Sequence, residues 1–138
     1  NDDVLEIGTG TGFITACLAH MARAVTSIDI HADFLENAQA RLHGLDLNNV
    51  RFELADALRY RPQQQFDVVL VTAAVAVIPE AFKQWLRPGG RLFVIQGLSP
   101  VQEALCLTRF GETFRIESLL ETDVPYLMGA EPENKFTF

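Results

Sequence analysis

Short apolar segments of the chain alternate with amphipathic ones. The segments rich in Val, Ile, Leu and Phe, which favour strands, lie at residues 4–7, 24–28, 50–54, 66–71 and 91–95. Apolar residues recur at helical spacing after residue 12, from about His31 to His43, and after Pro79. Strands that alternate with helices build mostly parallel sheets. The pattern therefore predicts an α/β fold, with a mostly parallel sheet and helices on both faces.

Each predicted helix has an apolar face that we expect to pack on the sheet. On the first helix this face comprises Ile14, Cys17, Leu18 and Met21. On the second, which ends at Gly44, it comprises Phe34, Leu35, Ala38 and Leu42. On the third, which Arg87-Pro88-Gly89-Gly90 should stop, it comprises Ile78, Phe82, Trp85 and Leu86.

The pattern changes towards the end of the chain. Two strand-like segments, residues 104–109 and 114–120, flank Phe110-Gly111-Glu112-Thr113. Short strands around a turn that contains glycine indicate an antiparallel hairpin. We expect this hairpin to close the sheet with an antiparallel edge, so that residues 1–138 form one domain.

The charge balance narrows the classes of partner. With 11 basic against 18 acidic residues, the formal net charge is -7, and no basic run offsets it. Because phosphate backbones repel such a surface, no nucleic-acid partner is expected. We also find no apolar segment long enough for a bilayer and no signal peptide, and we expect a cytoplasmic protein without membrane attachment.

The two cysteines, Cys17 and Cys106, lie far apart in apolar segments. Neither has a Cys or His neighbour at the spacing of metal ligands. Isolated cysteines of this kind are commonly buried and reduced. We expect both to be core residues, and we expect no metal site.

A glycine-rich segment, Glu6-Ile7-Gly8-Thr9-Gly10-Thr11-Gly12, follows the first predicted strand, and Asp29 ends the second. A glycine-rich turn between strand and helix brings backbone N–H groups close to a ligand, and an acid about 20 residues later can bind ribose hydroxyls. The segment predicts a site for a nucleoside-bearing cofactor. The alternative is that the glycines form a structural turn between strand and helix that binds no ligand.

The glycine spacing distinguishes between two cofactors. A dinucleotide fingerprint needs a small residue where this chain has Phe13, which disfavours NAD. The G-x-G-x-G spacing is that of methyltransferases that bind S-adenosylmethionine, and Glu6 suits a site that holds an ammonium group. The predicted cofactor contacts from this part of the chain are Glu6, Gly8, Thr9, Gly10, Gly12, Asp29 and Ile30.

Further segments carry a resemblance. Besides the glycine-rich segment they are Asp67 with Val71-Thr72-Ala73-Ala74, Leu86-Arg87-Pro88-Gly89-Gly90-Arg91-Leu92, and Val124-Pro125 after the hairpin. Together they resemble the protein-L-isoaspartate O-methyltransferase family. The resemblance implies a Rossmann-like fold, S-adenosylmethionine as cofactor, and methyl transfer to isoaspartyl carboxylates in damaged proteins or peptides. It places Asp56, with Ala57, beside the adenine, and it makes Thr72, Ala73 and Ala74 candidates for the substrate side.

The chain also departs from the family. It opens two residues before its first predicted strand, without the family's N-terminal segment that contacts the isoaspartyl group, which indicates a fragment of a longer protein. The family's Gly-Asp-Gly is Ala55-Asp56-Ala57, and the segments that flank its substrate cleft read Gln96-Gly97 and Asp123-Val124-Pro125-Tyr126. A methyltransferase with another small-molecule acceptor and a non-catalytic S-adenosylmethionine-binding domain are the open alternatives.

No catalytic residue is assigned from the sequence. A carboxylate acceptor has a pKa near ~4, so it is ionised at neutral pH and needs no general base. His31 is interpreted as the residue that begins a helix, with a position at the border of the adenosine pocket as the alternative. The segment Thr72-Ala73-Ala74 is either a turn of small residues or a part of the site.

Overall fold

The computed structural model describes residues 1–133. Its elements, in chain order, are β1 (Asp3–Ile7), α1 (Phe13–Met21), β2 (Ala24–Asp29), α2 (Ala32–Gly44), β3 (Val50–Leu54), β4 (Phe66–Val75), α3 (Glu80–Gln84), β5 (Leu86–Leu98), β6 (Val101–Phe110) and β7 (Thr113–Thr122). Within these residues the strands form one sheet in the order β3-β2-β1-β4-β5-β6-β7. The predicted order of strands and helices is confirmed.

Strand β1 lies inside the sheet, where it pairs in parallel with β2 and with β4. The pairs β2–β3 and β4–β5 are also parallel. Parallel crossovers are right-handed, so α1 and α2 lie on one face, and the opposite stepping direction from β4 to β5 places α3 on the other. Ile7 lies beside Ile28 and Val71 in the register. The carboxyl ends of β1, β2 and β4 therefore meet at one edge of the sheet.

The last three strands form the predicted antiparallel part of the sheet. Strand β6 pairs antiparallel with β5 and with β7. The hairpin strands are longer than predicted, and Gly111, with φ of +62°, lies in the turn between them. Strand β7 is one of the two outer strands of the sheet, with β3 at the other side, and it exposes Ile116, Leu119 and Leu120.

The face that carries α3 holds the main apolar core. Phe82 of α3 and Leu86 of β5 are fully buried, and Trp85 between them is buried too. They belong to one cluster with Leu5 and Val69 of the central strands. The predicted buried face of the third helix is confirmed, although α3 has only five residues and Leu86 already belongs to β5.

The predicted buried face of α1 is wrong. Its apolar residues are exposed or half-buried: Ile14, Cys17, Leu18 and Met21. Thr15 and Ala19 are buried instead. Their small side chains let the helix approach the sheet, and the Thr15 hydroxyl donates a hydrogen bond to the buried carboxylate of Glu6. A polar partner on β1 therefore decides which face of α1 is buried.

Helix α2 buries Leu35, Ala38 and Leu42 as predicted, but Phe34 is 41% exposed. Phe34 follows the helix start closely and packs edge-on against His31 instead of the sheet. No helix within residues 1–133 has both the length and the hydropathy needed to cross a membrane.

Three further expectations need correction. Cys17 is exposed on α1, whereas Cys106 is buried as predicted, and neither forms a disulfide. Residues 72–74 belong to β4, which continues to Val75, because their backbone finds further partners in β5 and in the chain near Tyr126. Residues 87–90 belong to β5, at the place where its register with β4 shifts. They therefore do not form the expected break between α3 and this strand.

Four charged side chains form a network at the amino ends of the parallel strands, on the side of the sheet opposite to the carboxyl ends of β1, β2 and β4. Arg87 donates to Asp67 and to Asp3, both at 2.8 Å, and Arg23 donates to the other carboxylate oxygen of Asp3. Asp3 is 4% exposed, and its backbone N–H donates to Asp67 at 2.8 Å. Burial would raise the pKa of Asp3, but the hydrogen bonds and charges of Arg87 and Arg23 outweigh it and hold the pKa below its ordinary value of 3.8.

This network predicts a pH-dependent stability difference. A carboxyl whose pKa is lower in the folded than in the unfolded state stabilises the fold above the unfolded pKa, and this contribution is lost as the pH falls through the folded pKa. We expect Asp3→Asn to lower the free energy of unfolding at pH 7, and the difference from the unchanged chain to shrink below pH 3.8. Urea unfolding across pH measures it, with the exposed neighbour changed in Asp2→Asn as control. A difference that stays constant with pH would contradict the assignment.

Candidate functional site

A cleft of about 210 Å³ opens where the carboxyl ends of β1, β2 and β4 meet. It is lined by the chain after β1 and β2, the segment after β3, one residue of β4 and a segment that follows β7. The predicted site residues that line it are Gly8, Asp29, Ile30, Asp56, Ala57 and Ala73. The predicted residues outside its lining are Glu6, Thr9, Gly10, Gly12, Thr72 and Ala74.

Gly8 lies at the base of the cleft in a conformation that needs glycine. Its φ is +98°, and a Cβ atom added to it would collide with Oγ1 of Thr72. The Thr72 hydroxyl shares its proton between the carbonyl oxygens of Ile7, at 2.8 Å, and Gly8, at 3.0 Å. Thr72 therefore holds the glycine-rich turn in place, and the substrate-side role expected for it has no support from its position.

Gly12 directly precedes α1 and lies close to α2. A Cβ atom at Gly12 would lie 2.9 Å from the Cβ of Ala38. Phe13, the first residue of α1, is 74% exposed, so its side chain does not pack between this helix and the sheet.

Asp29 hydrogen-bonds to the chain that follows β1 and to the chain that follows β2. One carboxylate oxygen accepts the backbone N–H of Gly10 at 3.1 Å, and the other accepts that of His31 at 2.9 Å. Each carboxylate oxygen has about two acceptor positions, so each keeps one for a ligand hydroxyl. His31 precedes the first residue of α2 and also lines the cleft, so both interpretations of this residue hold.

Glu6 lies beneath the glycine-rich turn and is fully buried. Oε1 accepts the hydroxyls of Thr15 and Ser27, and Thr9 hydrogen-bonds to Ser27 at 2.6 Å. Oε2 has no partner within residues 1–133. Burial raises the pKa of Glu6, and hydrogen bonds from Ser27 and Thr15 only partly oppose this. Neither Glu6 nor Thr9 lines the cleft, and their buried side chains are joined through Ser27 of β2.

The segment after β3 forms the opposite wall. Asp56 is exposed, and one of its oxygens accepts the backbone N–H of Leu58 at 3.0 Å. Ala57 is buried and gives the wall an apolar surface. The backbone N–H of Ala55 donates to the carbonyl of Asp29 at 3.0 Å, which fixes this wall against the end of β2.

The fourth wall consists of Tyr126, Leu127 and Met128, of which only Tyr126 was expected near a cleft, through the family resemblance. The backbone N–H of Leu127 donates to Ala74 at 2.7 Å, and the N–H of Ala74 donates to Pro125 at 3.0 Å. Ala74 is fully buried by this pairing and does not line the cleft. The sequence signal for this wall is Val124-Pro125, a segment that belongs to the resemblance.

The cleft combines a carboxylate that has acceptor positions left, a second exposed carboxylate and apolar walls. This combination suits a ribose next to a flat apolar ring. Within residues 1–133, no three His, Cys, Asp or Glu side chains lie together as a metal site would require.

Comparison with known proteins gives one consistent result. The family model of protein-L-isoaspartate(D-aspartate) O-methyltransferase matches residues 1–126. Among curated proteins, the chain is 38% identical to the protein-L-isoaspartate O-methyltransferase of Dictyoglomus thermophilum over 120 residues, which is 86% of this chain and 54% of that protein. It is 43% identical to that of Methylorubrum extorquens over 118 residues, which is 85% of this chain and 51% of that protein. The chain spans about half the length of these curated relatives.

Solved structures agree with this result. A protein-L-isoaspartate O-methyltransferase structure superposes with a TM-score of 0.81 at 28% identity, covering 91% of this chain and 41% of that one. A structure described as a putative enzyme of the same name from Plasmodium falciparum, in complex with S-adenosyl-L-homocysteine, shares the fold with a TM-score of 0.80 at 15% identity, covering 91% of this chain and 65% of that one. On the match of the family model to most of its residues, this chain belongs to the protein-L-isoaspartate(D-aspartate) O-methyltransferase family.

Proposed function

We propose that this chain binds S-adenosylmethionine and that the protein to which it belongs transfers the methyl group to isoaspartyl carboxylates in damaged proteins. The observation that carries the proposal is the position of Asp29. It ends the second strand of a family fold, it lines the cleft, and both of its oxygens keep an acceptor position. The type of reaction and the acceptor are inferred from the family to which the chain belongs.

The residues present fit the proposed cofactor. Asp29 would accept hydrogen bonds from the ribose hydroxyls, and Asp56, beside the apolar surface of Ala57, would face the adenine. Gly8 allows the close approach of the backbone, since any larger residue would collide with Thr72.

The bound cofactor supplies an activated methyl group on a sulfonium centre. The protein's contribution is then to hold the acceptor close to it, and such positioning lowers reaction barriers by up to about 7–11 kcal/mol in favourable cases. A carboxylate acceptor is ionised at neutral pH, so no general base is required. Ala73 lines the cleft, and its small side chain leaves room for the acceptor beside β4.

Calorimetric titration with S-adenosylhomocysteine, the product form of the cofactor, tests the binding part of the proposal. We expect saturable binding with one site per chain. The titration with 2′-deoxyadenosine and with adenosine locates the ribose, because only adenosine offers both hydroxyls to Asp29. Absence of binding by S-adenosylhomocysteine would refute the proposal at its first step.

The acceptor is tested separately. Methyl transfer is measured with an isoaspartyl peptide and with the same peptide that carries an ordinary aspartyl residue, using both this chain and a chain of the length of the curated relatives. We expect transfer to the isoaspartyl peptide only. Transfer to neither peptide by a longer chain that binds S-adenosylhomocysteine would favour another acceptor or a non-catalytic binding domain.

A further inference from the structure

Tyr126 contacts the cleft and a distant turn at the same time. The residue lines the cleft together with Gly8 and Ala73. Its hydroxyl points away, where it donates to the carbonyl oxygen of Gly97 at 2.9 Å and accepts the backbone N–H of Ser99 at 2.8 Å. A phenol has one proton to donate, and this proton is used in the turn. Tyr126 therefore joins one wall of the cleft to the turn between β5 and β6, here called the β5–β6 corner (residues 97–101).

The backbone of the β5–β6 corner is closely packed at its start. Gly97 has φ of +134°, and a Cβ atom there would lie 2.9 Å from the carbonyl oxygen of Val101. The two strands that the corner joins are paired up to Leu98, which lies opposite Val101. A contact made to the backbone of this corner therefore connects the cleft wall to the β5–β6 pair.

Two other side chains tie the chain after β7 to β6 and to the corner. The fully buried amide of Gln102 accepts the N–H of Val124 at 2.8 Å and donates to its carbonyl at 3.2 Å. The Ser99 hydroxyl hydrogen-bonds to Asp123 at 2.8 Å. These contacts hold the segment as a whole, but they lie before Tyr126 and outside the cleft lining. Within residues 1–133, Tyr126 is the residue of the cleft lining whose side chain hydrogen-bonds to the corner.

We propose that Tyr126 is a positioning residue: its hydroxyl fixes the cleft wall formed by residues 126–128 against the β5–β6 corner, so that ligand binding in the cleft is coupled to order in the corner. The inference rests on the function proposed above, since its ligand is the methyl donor. It concerns a position at which this chain departs from the family pattern.

The test uses Tyr126→Phe, which removes the hydroxyl and keeps the ring. We expect the Kd for S-adenosylhomocysteine to rise about fivefold, as two modest hydrogen bonds no longer hold the wall. We also expect a change in amide hydrogen exchange at Ser99, which does not line the cleft. In the unchanged chain the ligand slows exchange at this N–H, and in Tyr126→Phe it does not. A purely structural role would change exchange equally with and without ligand.

The matched control is Tyr60→Phe. The Tyr60 hydroxyl also donates one hydrogen bond, to Glu53 at 2.9 Å, and Tyr60 does not line the cleft. We expect it to leave the Kd and the ligand-dependent slowing at Ser99 unchanged. Ser99→Ala loses only the bond to Asp123 and should keep the Kd as well.

Each result decides the proposal. An unchanged Kd and a retained slowing in Tyr126→Phe would overturn it, and so would a Ser99→Ala variant that weakens binding as much as Tyr126→Phe. If the unchanged chain does not bind S-adenosylhomocysteine, the proposed function fails and this inference fails with it. Thermal unfolding of each variant sets the temperature of the titrations, so that only folded protein is compared.

Discussion

Gly8→Ala is expected to abolish measurable S-adenosylhomocysteine binding and to lower the free energy of unfolding by about 2 kcal/mol or more. The φ of +98° is strained for any residue with a Cβ atom, and that atom would collide with Thr72 Oγ1. Thr72 cannot move aside without losing its hydrogen bonds to Ile7 and Gly8. The turn at the base of the cleft must therefore deform. Urea unfolding and calorimetric titration measure the two effects.

Gly10→Ala is the matched control, because Gly10 also has a positive φ, of +53°, but has open space where a Cβ atom would lie. It should cost about 1 kcal/mol, the ordinary penalty of a left-handed conformation. The double variant Gly8→Ala/Thr72→Ala should recover part of the lost stability, since it removes the colliding oxygen. Equal losses in Gly8→Ala and Gly10→Ala would show that the contact with Thr72 is unimportant.

Asp29→Ala is expected to raise the Kd for S-adenosylhomocysteine at least tenfold. A hydrogen bond to a charged acceptor contributes about 1.5–3 kcal/mol, and the change removes the acceptor proposed for the ribose hydroxyls. It also leaves the N–H groups of Gly10 and His31 without their partner, so we expect a smaller loss of stability alongside. Titration with S-adenosylhomocysteine measures the first effect and urea unfolding the second.

Asp33→Ala controls for the loss of a negative charge nearby. Asp33 lies in the first turn of α2, is exposed, and does not line the cleft. It should leave the Kd unchanged. The preference for adenosine over 2′-deoxyadenosine should disappear in Asp29→Ala and persist in Asp33→Ala. If the preference survives in Asp29→Ala, the ribose lies elsewhere.

The parallel half of the sheet could be predicted from the sequence because its signals are local. Each strand there is a short apolar segment, each is followed by a helical pattern, and the chirality of such connections leaves few topologies. The positions of Gly8 and Asp29 follow from this topology, since Gly8 follows β1, Asp29 ends β2, and the carboxyl ends of these strands meet. The antiparallel hairpin was predictable for the same reason, from a turn between two neighbouring strands.

The errors arise where a contact between two elements, and not the local pattern, decides the outcome. The apolar positions of α1 predict one buried face, but Glu6 on β1 draws Thr15 into the interior. Tyr126 belongs to the cleft because its backbone neighbours pair with Ala74, more than 50 residues earlier, and no local pattern shows this. The hydroxyl of Thr72 donates to two backbone carbonyls of the glycine-rich turn, more than 60 residues earlier, and no local pattern shows this contact either.

The outer strand β7 has a consequence for handling the protein. Its outward backbone groups have no strand beside them within residues 1–133, and Ile116, Leu119 and Leu120 are exposed on it, which is the surface from which edge-to-edge aggregation starts. At neutral pH the net charge of -7 makes copies of the chain repel one another. Near the isoelectric point of about 4.8 this repulsion vanishes, and salt screens it at any pH. Colloidal stability is therefore lowest in mildly acidic, salty buffer, and dilute protein at low ionic strength is required for acid titrations.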